Sequence, residues 1–312
     1  MRKIYGIGET VFDIIFKDGS PQAGKAGGSM LNSVVSMGRA GLPVSFISEF
    51  AVDRVGDMIN RFLIENGVNT SYINRYNDGN TTLALAFLDE NNDASYIFYK
   101  NHLPGKTVTE YPAVENGDIL LCGSFYSIWS EIRDRFRKLV TGAREQGALV
   151  IYDPNFRTSH LNDLDALKPL IIENMNMAGL VRGSDSDFMN IFGVGNADDA
   201  YKIVKNYCPL LVYSASTEGV FVRTPVFSGK FPVRKITPVS TIGAGDNFNA
   251  GIITSIFRNN ITPDQLKNLK EKEWSEIISL AVDFATDVCL SYDNYISRAF
   301  ASRYFSASSD QI

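Results

Sequence analysis

The stretch 240–251, STIGAGDNFNAG, sets two glycines and a carboxylate just ahead of an apolar run. From Asp246 onward, Phe248, Ile252, Ile253, Ile256 and Phe257 form a helical stripe. Gly243, Ala244 and Gly245 therefore precede a helix N-terminus. Small residues there leave backbone N–H groups open, and the helix dipole favours an anion. That is a cradle for a phosphate or an oxyanion. Asp246 would place a carboxylate beside the anion, which opposes simple anion binding. The arrangement makes sense for a group that takes a proton from a hydroxyl attacking a phosphoryl group. The competing reading is that Asp246 merely caps the helix.

Two other glycine-rich segments fail as nucleotide loops. GSPQAGKA, 19–26, has nearly the P-loop spacing, but Ala26 stands where a hydroxyl would hold magnesium, so the segment reads as a flexible turn. GIGETV follows the first strand, but Val11 replaces the third glycine of a dinucleotide loop and a β-rich run follows. An NAD-dependent oxidoreductase is disfavoured accordingly.

The elements that must position these residues alternate. KIYGIGE reads as a buried strand, VFDIIFKDG as a β run ending in a turn, and GGSMLNSVVSMGRAG as a helix closed by Gly41. VSFISEF is a strand, and a helix stops at Gly67. TTLALAFLDENNDASYIFYK reads as a hairpin around a polar turn. Strands at DILLCGS, ALVIYDP, AGLVRGS and PLLVYSAS then alternate with helices over 129–146, 163–175, 185–192 and 198–206. Helices over 246–258 and 273–290 close the chain. This order predicts an α/β fold with a doubly wound, mostly parallel sheet. The runs at about 11–17 and 81–100 fall outside the alternation and read as a small β lid on a single domain spanning 1–312.

The 312 residues are 45% hydrophobic with a net charge of −5, ample for a large core and without the basic patch of a nucleic-acid binder. Cys122, Cys208 and Cys289 are too few and too dispersed for a disulfide framework. Only His102 and His160 are available, against a His-based zinc site. The N-terminal run is interrupted by Glu9 and Asp13 and lacks a signal-peptide pattern. No run approaches a membrane span. A soluble, cytoplasmic protein with no nucleic-acid or membrane partner is expected.

STIGAGDNFNAG resembles the second signature of the PfkB (ribokinase-like) carbohydrate kinases. GGSMLN resembles their first signature, DRVGDMINRFL the Gly-Asp segment after the second strand, and DPNFR a segment shared by fructokinases and related sugar kinases. The hairpin 81–100 resembles fructokinase lid strands. The likeness covers nearly the whole chain and implies a fructokinase-like enzyme that moves the γ-phosphoryl group of ATP, with Mg2+, to a sugar hydroxyl. It implies Asp246 as catalytic base and Gly243, Ala244 and Gly245 as the anion hole. Asp13, at the end of the first strand pair, matches a carboxylate that binds sugar hydroxyls, and Gly28 and Asn32 match the sugar signature. Asn155 and Arg157 would lie near substrate or phosphates. Carboxylates and an amide suit a polyol. The competing readings are a solvated helix residue for Asn32, a turn acid for Asp13, and a turn with a surface arginine for Asn155 and Arg157.

On the nucleotide side, VYSASTEG resembles a Thr-x-Gly-x-x-Gly segment, with Ser214 and Ser216 substituted and Gly219 kept. RGSDSDF resembles the Asn-x-x-Glu metal and phosphate segment, with Ser184 and Asp187 at those positions. Asp187 would reach magnesium through water. Thr241 joins this nucleotide set, Ser240 replaces a usual Asp, and the expected C-terminal Gly-Ala is not evident. The family also admits a monovalent cation. Exposed lid strands predict a homodimer through the lid. The rivals are another acceptor (ketodeoxygluconate, ribose or a nucleoside) and a catalytically silent sugar or nucleotide sensor, which retention of Asp246 argues against.

Overall fold

The structure, a computed structural model, describes residues 1–90, 94–100 and 110–305; the tip of the 81–100 hairpin and His102 lie outside them. In chain order the first half runs β1 (Ile4–Ile7), β2 (Val11–Lys17), β3 (Ser20–Gly27), α1 (Ser29–Arg39), β4 (Val44–Ala51), α2 (Arg54–Glu65), β5 (Val68–Tyr76), β6 (Leu83–Leu88), β7 (Ala94–Tyr99), β8 (Ile119–Gly123) and α3 (Arg133–Glu145). The second half runs β9 (Leu149–Asp153), α4 (Leu164–Met177), β10 (Leu180–Ser184), α5 (Asp185–Phe192), α6 (Ala197–Val204), β11 (Leu211–Ala215), β12 (Gly219–Arg223), β13 (Ser228–Phe231), α7 (Ala244–Arg258), α8 (Pro263–Leu266), α9 (Glu271–Cys289) and α10 (Arg298–Phe305).

Nine strands form one sheet in the order β13-β12-β11-β10-β9-β8-β1-β4-β5. Seven are parallel, and β12 and β13 add an antiparallel edge. The central strands β1, β8 and β9 are buried along their whole length, as a parallel sheet covered on both faces requires. One face packs on α1, α2, α7 and α9 through Met30, Val34, Ile59, Ile252, Trp274 and Ile278. The other packs on α3 to α6 through Phe136, Val140, Ile171, Met175 and Phe188. Strand order ascends from β8 in one direction and from β1 in the other. The switch therefore falls between β1 and β8, where a crevice opens at the strands' carboxyl ends.

A second sheet, β3-β2-β6-β7, stands apart from the first. β6 and β7 are the antiparallel hairpin expected from the sequence, and β2 lies parallel to β6. The segment expected to be a flexible turn is instead β3, paired with β2 from Val11↔Gly27 to Lys17↔Ser20. Its residues are weak strand formers and largely exposed, so pairing rather than propensity makes the strand. β5 was not expected either; it is the outer strand of the large sheet, with a mixed polar and apolar pattern. The helix expected over 129–146 begins only at Arg133, after a short 3-10 turn at Phe125–Ile128. No helix of the described residues is long and apolar enough to cross a membrane, and all three cysteines are free thiols.

Candidate active site

α7 starts at Gly243, whose φ of 79° lies in the left-handed region and where a Cβ would stand 2.9 Å from the Asn294 carbonyl oxygen. Glycine is the residue that tolerates both. The helix has no side-chain cap. Ala244 N donates to Thr241 O and Asn247 N to Gly243 O. The first-turn N–H groups of Gly245 and Asp246 are thereby left for an anion.

Asp246 does not cap its own helix. Its Oδ1 accepts from Ser29 Oγ at 2.5 Å and its Oδ2 from Asn32 Nδ2 at 2.8 Å, both on α1. The geometry thus removes the capping alternative. α1 and α7 meet along a polar stripe: Ser33 Oγ donates to Asp246 O at 2.7 Å, and Ser36 Oγ hydrogen-bonds Asn247 Oδ1. Ser29, Ser33 and Ser36 recur at helical spacing on a helix otherwise buried with Met30, Leu31, Val34 and Val35. That stripe was the sequence signal for Ser29, which reasoning from the motif alone passed over. Asp246 is 7% exposed. Burial pushes its carboxyl up, the bonds from Ser29 and Asn32 and the charge of Arg157 pull it down, and Asp153 pushes it up again. A carboxylate shifted toward neutrality is a better proton acceptor near pH 7.

Asp13 sits in the middle of β2, paired with Lys25 of β3 and Ala84 of β6, rather than at a strand end. Its carboxyl is pushed up to about 7, first by burial and then by the like charges of Asp246 and Glu9, against the pull of Lys25. At Gly27 a Cβ would stand 2.0 Å from Asp13 Oδ2, and at Gly28, φ 123°, it would stand 2.3 Å from Glu9 O. The glycine pair thus seats Asp13 and the start of α1 against the end of β1. Lys25 Nζ donates to Tyr292 O and pairs with Asp293, tying the small sheet to the loop after α9. The Asn32 Oδ1 is buried without a partner among the described residues, a free acceptor on the amide that holds Asp246.

Asp153 closes β9 and is 1% exposed. It accepts from Asn155 N at 3.0 Å, Arg182 Nη1 at 2.8 Å and Asn249 Nδ2 at 2.6 Å. Asn155 has a left-handed φ of 41°. Arg157 is exposed, and its charge acts on Asp246 and Glu9. Glu9, after β1, accepts from Ser124 Oγ at 3.3 Å; burial pushes its carboxyl up while Lys100, Ser124 and Arg157 oppose that. Tyr96 of β7 feels Asp13, Arg157 and Asp246. The small sheet therefore faces the same chamber as α1 and α7.

The residues expected on the nucleotide side are less unified. Ser184 and Asp187 form a capping box for α5. Asp187 Oδ2 accepts from Ser184 N at 2.7 Å and Ser184 Oγ at 2.6 Å, while its Oδ1 accepts from Phe156 N at 2.6 Å. Burial pushes its carboxyl up, Asp153 adds to this, and the Ser184 bonds oppose it. With three donors already held, this carboxylate fits Mg2+ through water rather than directly. Among the described residues no cluster of three His, Cys, Asp or Glu side chains could hold a metal. Ser214 Oγ accepts from Arg182 Nη2 at 2.8 Å. Ser216, φ 41°, and Gly219, φ 118°, form the turn from β11 to β12. Thr241 is exposed, and Ser240 Oγ accepts from Ile242 N at 3.2 Å. Asn247 Nδ2 spans the carbonyls of Gly243 and Asn294 at 2.7 and 2.8 Å. An amide thus fills the donor position between the two segments flanking the cradle.

A carboxylate held by α1 at the open start of α7, beside carboxylate and amide acceptors, can deprotonate an alcohol next to a bound phosphate. The chain belongs to the pfkB family of carbohydrate kinases, whose model matches residues 1–297. Among curated relatives, a protein named Fructokinase from Rhizobium leguminosarum bv. trifolii is 28% identical over 276 residues, 85% of this chain and 83% of the relative. Two solved structures share the fold across nearly the whole of both chains. Fructokinase from Vibrio cholerae O395, solved with fructose, ADP and calcium, has a TM-score of 0.85 at 18% identity, covering 98% of this chain and 99% of that one. Aminoimidazole riboside kinase from Salmonella enterica, solved with its riboside and an ATP analogue, has a TM-score of 0.82 at 19% identity, covering 98% and 100%.

Proposed function

We propose that this carbohydrate kinase is fructokinase-like, moving the γ-phosphoryl group of ATP to a hydroxyl of fructose or a related ketohexose. The observation that carries the reading is Asp246 turned away from its own helix and held by Ser29 and Asn32 beside the open start of α7. Asp13 and Asn32 accept from sugar hydroxyls and orient the acceptor, with Gly28 keeping the backbone close and Asn155 and Arg157 at its rim. As the acceptor oxygen bonds to the γ-phosphorus, its proton passes to Asp246 and the bond to the β-phosphate oxygen breaks, releasing ADP. The open amides of Gly245 and Asp246 hold the charge that develops on the phosphoryl oxygens, with Gly243 shaping the turn, whereas the Ala244 N–H expected among them is already given to Thr241 O. Ser184, Ser214, Ser216, Gly219 and Thr241 lie on the side left for the nucleotide. Asp187 would hold Mg2+ through water, and the ion would supply charge neutralisation on the transferred group. The small sheet lies over the acceptor and excludes water as a competing acceptor.

A panel of ketohexoses, aldoses, ketodeoxygluconate, ribose and nucleosides, each with ATP and Mg2+, tests the reading. Turnover is expected to be greatest with a ketohexose. Preference for a nucleoside would move the acceptor class, and absence of turnover with every acceptor would favour a silent sensor.

A further inference from the structure

Arg182 has no part in the scheme above, yet it is 6% exposed inside a parallel sheet. Burying an ion pair gains little over well-packed apolar residues, so its presence calls for a reason. The guanidinium is held at two points: Nη1 on Asp153 and Nη2 on Ser214 Oγ, each at 2.8 Å. Its carbon lies 5.3 Å from the centre of the Phe248 ring. A Cβ on Gly245 would stand 3.0 Å from Nη1, 3.3 Å from Nη2 and 3.5 Å from Cζ. The cation therefore lies flat against the first turn of α7, and glycine at 245 admits it. Its Nε–H is buried without an acceptor among the described residues. Asp153 has two further donors, Asn249 Nδ2 and Asn155 N.

We infer that Arg182 is a positioning residue for phosphoryl transfer, a fixed positive charge behind the anion cradle that also ties the nucleotide-side strand β11 to the end of β9. The inference rests on the kinase reading. Its charge favours the nucleotide phosphates and the charge that builds up on them, while Asp153 and Ser214 hold it in one place, so no reorganisation is needed during transfer. The sugar side, at Asp13 and Asn32, makes no bond with Arg182.

The test compares wild type with Arg182→Lys, Arg182→Met and the double variant Arg182→Met/Asp153→Asn, reading kcat, both KM values, ADP affinity and thermal midpoint. Arg182→Met alone leaves Asp153 buried and unpaired and is expected to lose stability. The double variant removes both charges. It should regain the thermal midpoint yet keep kcat/KM for ATP down by roughly 10²-fold, the lower end of the range seen for a lost transition-state donor, with sugar KM little changed. Arg182→Lys should retain more activity than Arg182→Met. Recovery of both stability and kcat in the double variant would show that Arg182 only offsets Asp153 and would overturn the inference. Should the double variant not fold, Gly245→Ala displaces the guanidinium without altering a charge; unchanged kcat/KM and ADP affinity there would also overturn it. A wild type inactive on every acceptor would count against the kinase reading instead, and ADP affinity in the variants would still decide the role of Arg182.

Discussion

Asp13 and Asp246 face one chamber, and neither has an ordinary carboxyl environment. In the proposed reading the Asp13 carboxyl, pushed up from 3.8 to about 7, must be ionised to accept from sugar hydroxyls. The acidic limb of kcat/KM for sugar is therefore expected near pH 7, because that ratio reports the free enzyme; a profile flat across neutral pH would contradict this. The same shift has a stability sign. The native state holds this proton more tightly than the unfolded chain, so stability falls as pH rises from 3.8 to about 7 and stays lower above. Asp13→Asn should raise the thermal midpoint at alkaline pH, lose that advantage below 3.8, and weaken sugar binding. At this scale the motif residues Asp246, Asn32 and Asp13 could be read from the chain, since each stands in a short stretch whose types suit the chemistry. Asp153 and Arg182 could not, because each gains its meaning from a partner 29 positions away, and Ser29 showed only as one member of a polar stripe on α1.

Among the elements, α1 and α7 carry the site because their starts are open and meet each other. Gly243 makes that start. Gly243→Ala would force a side chain into the left-handed region and against the Asn294 carbonyl. A loss of about 1–3 kcal/mol is expected, read as a lower denaturation midpoint. A midpoint equal to wild type would show that the 294 segment yields freely. Helical spacing and glycine stops disclosed α1 and α7, since both bury a continuous apolar face. β3 and β5 escaped because edge strands are shaped by what they pair with: Ser20–Gly27 is polar, glycine-bearing and exposed, and its strand exists through β2. The capping box at Ser184 and Asp187 was present in the sequence as a Ser and an acid three apart. Its competing identity as a metal and phosphate segment obscured that reading.

For the molecule as a whole, the small sheet is the unbalanced part. Ile97, Phe98 and Tyr99 on β7 are 51 to 59% exposed, and Phe87 and Tyr96 add to the same sheet. Among the described residues β7 is also an edge strand of its sheet. We propose that a second copy covers it, and light scattering of the purified protein should give twice the 34.5 kDa chain mass. Ile97→Asp with Tyr99→Asp should yield monomers; a wild type monomeric at working concentration would refute the dimer. The doubly wound sheet was legible from alternation of strand and helix, and the separate small sheet from its break in that alternation. The switch between β1 and β8, which places the chamber, depends on strand order, which no local pattern encodes.

The central claim is that Asp246 takes the acceptor's proton, and Asp246→Asn tests it most directly because the amide keeps the shape and can still bond Ser29. With the preferred sugar, kcat should fall by roughly 10²–10⁴-fold, the scale of a positioned base, while sugar affinity measured by calorimetry stays near wild type. A variant that turns over as fast as wild type would contradict the account.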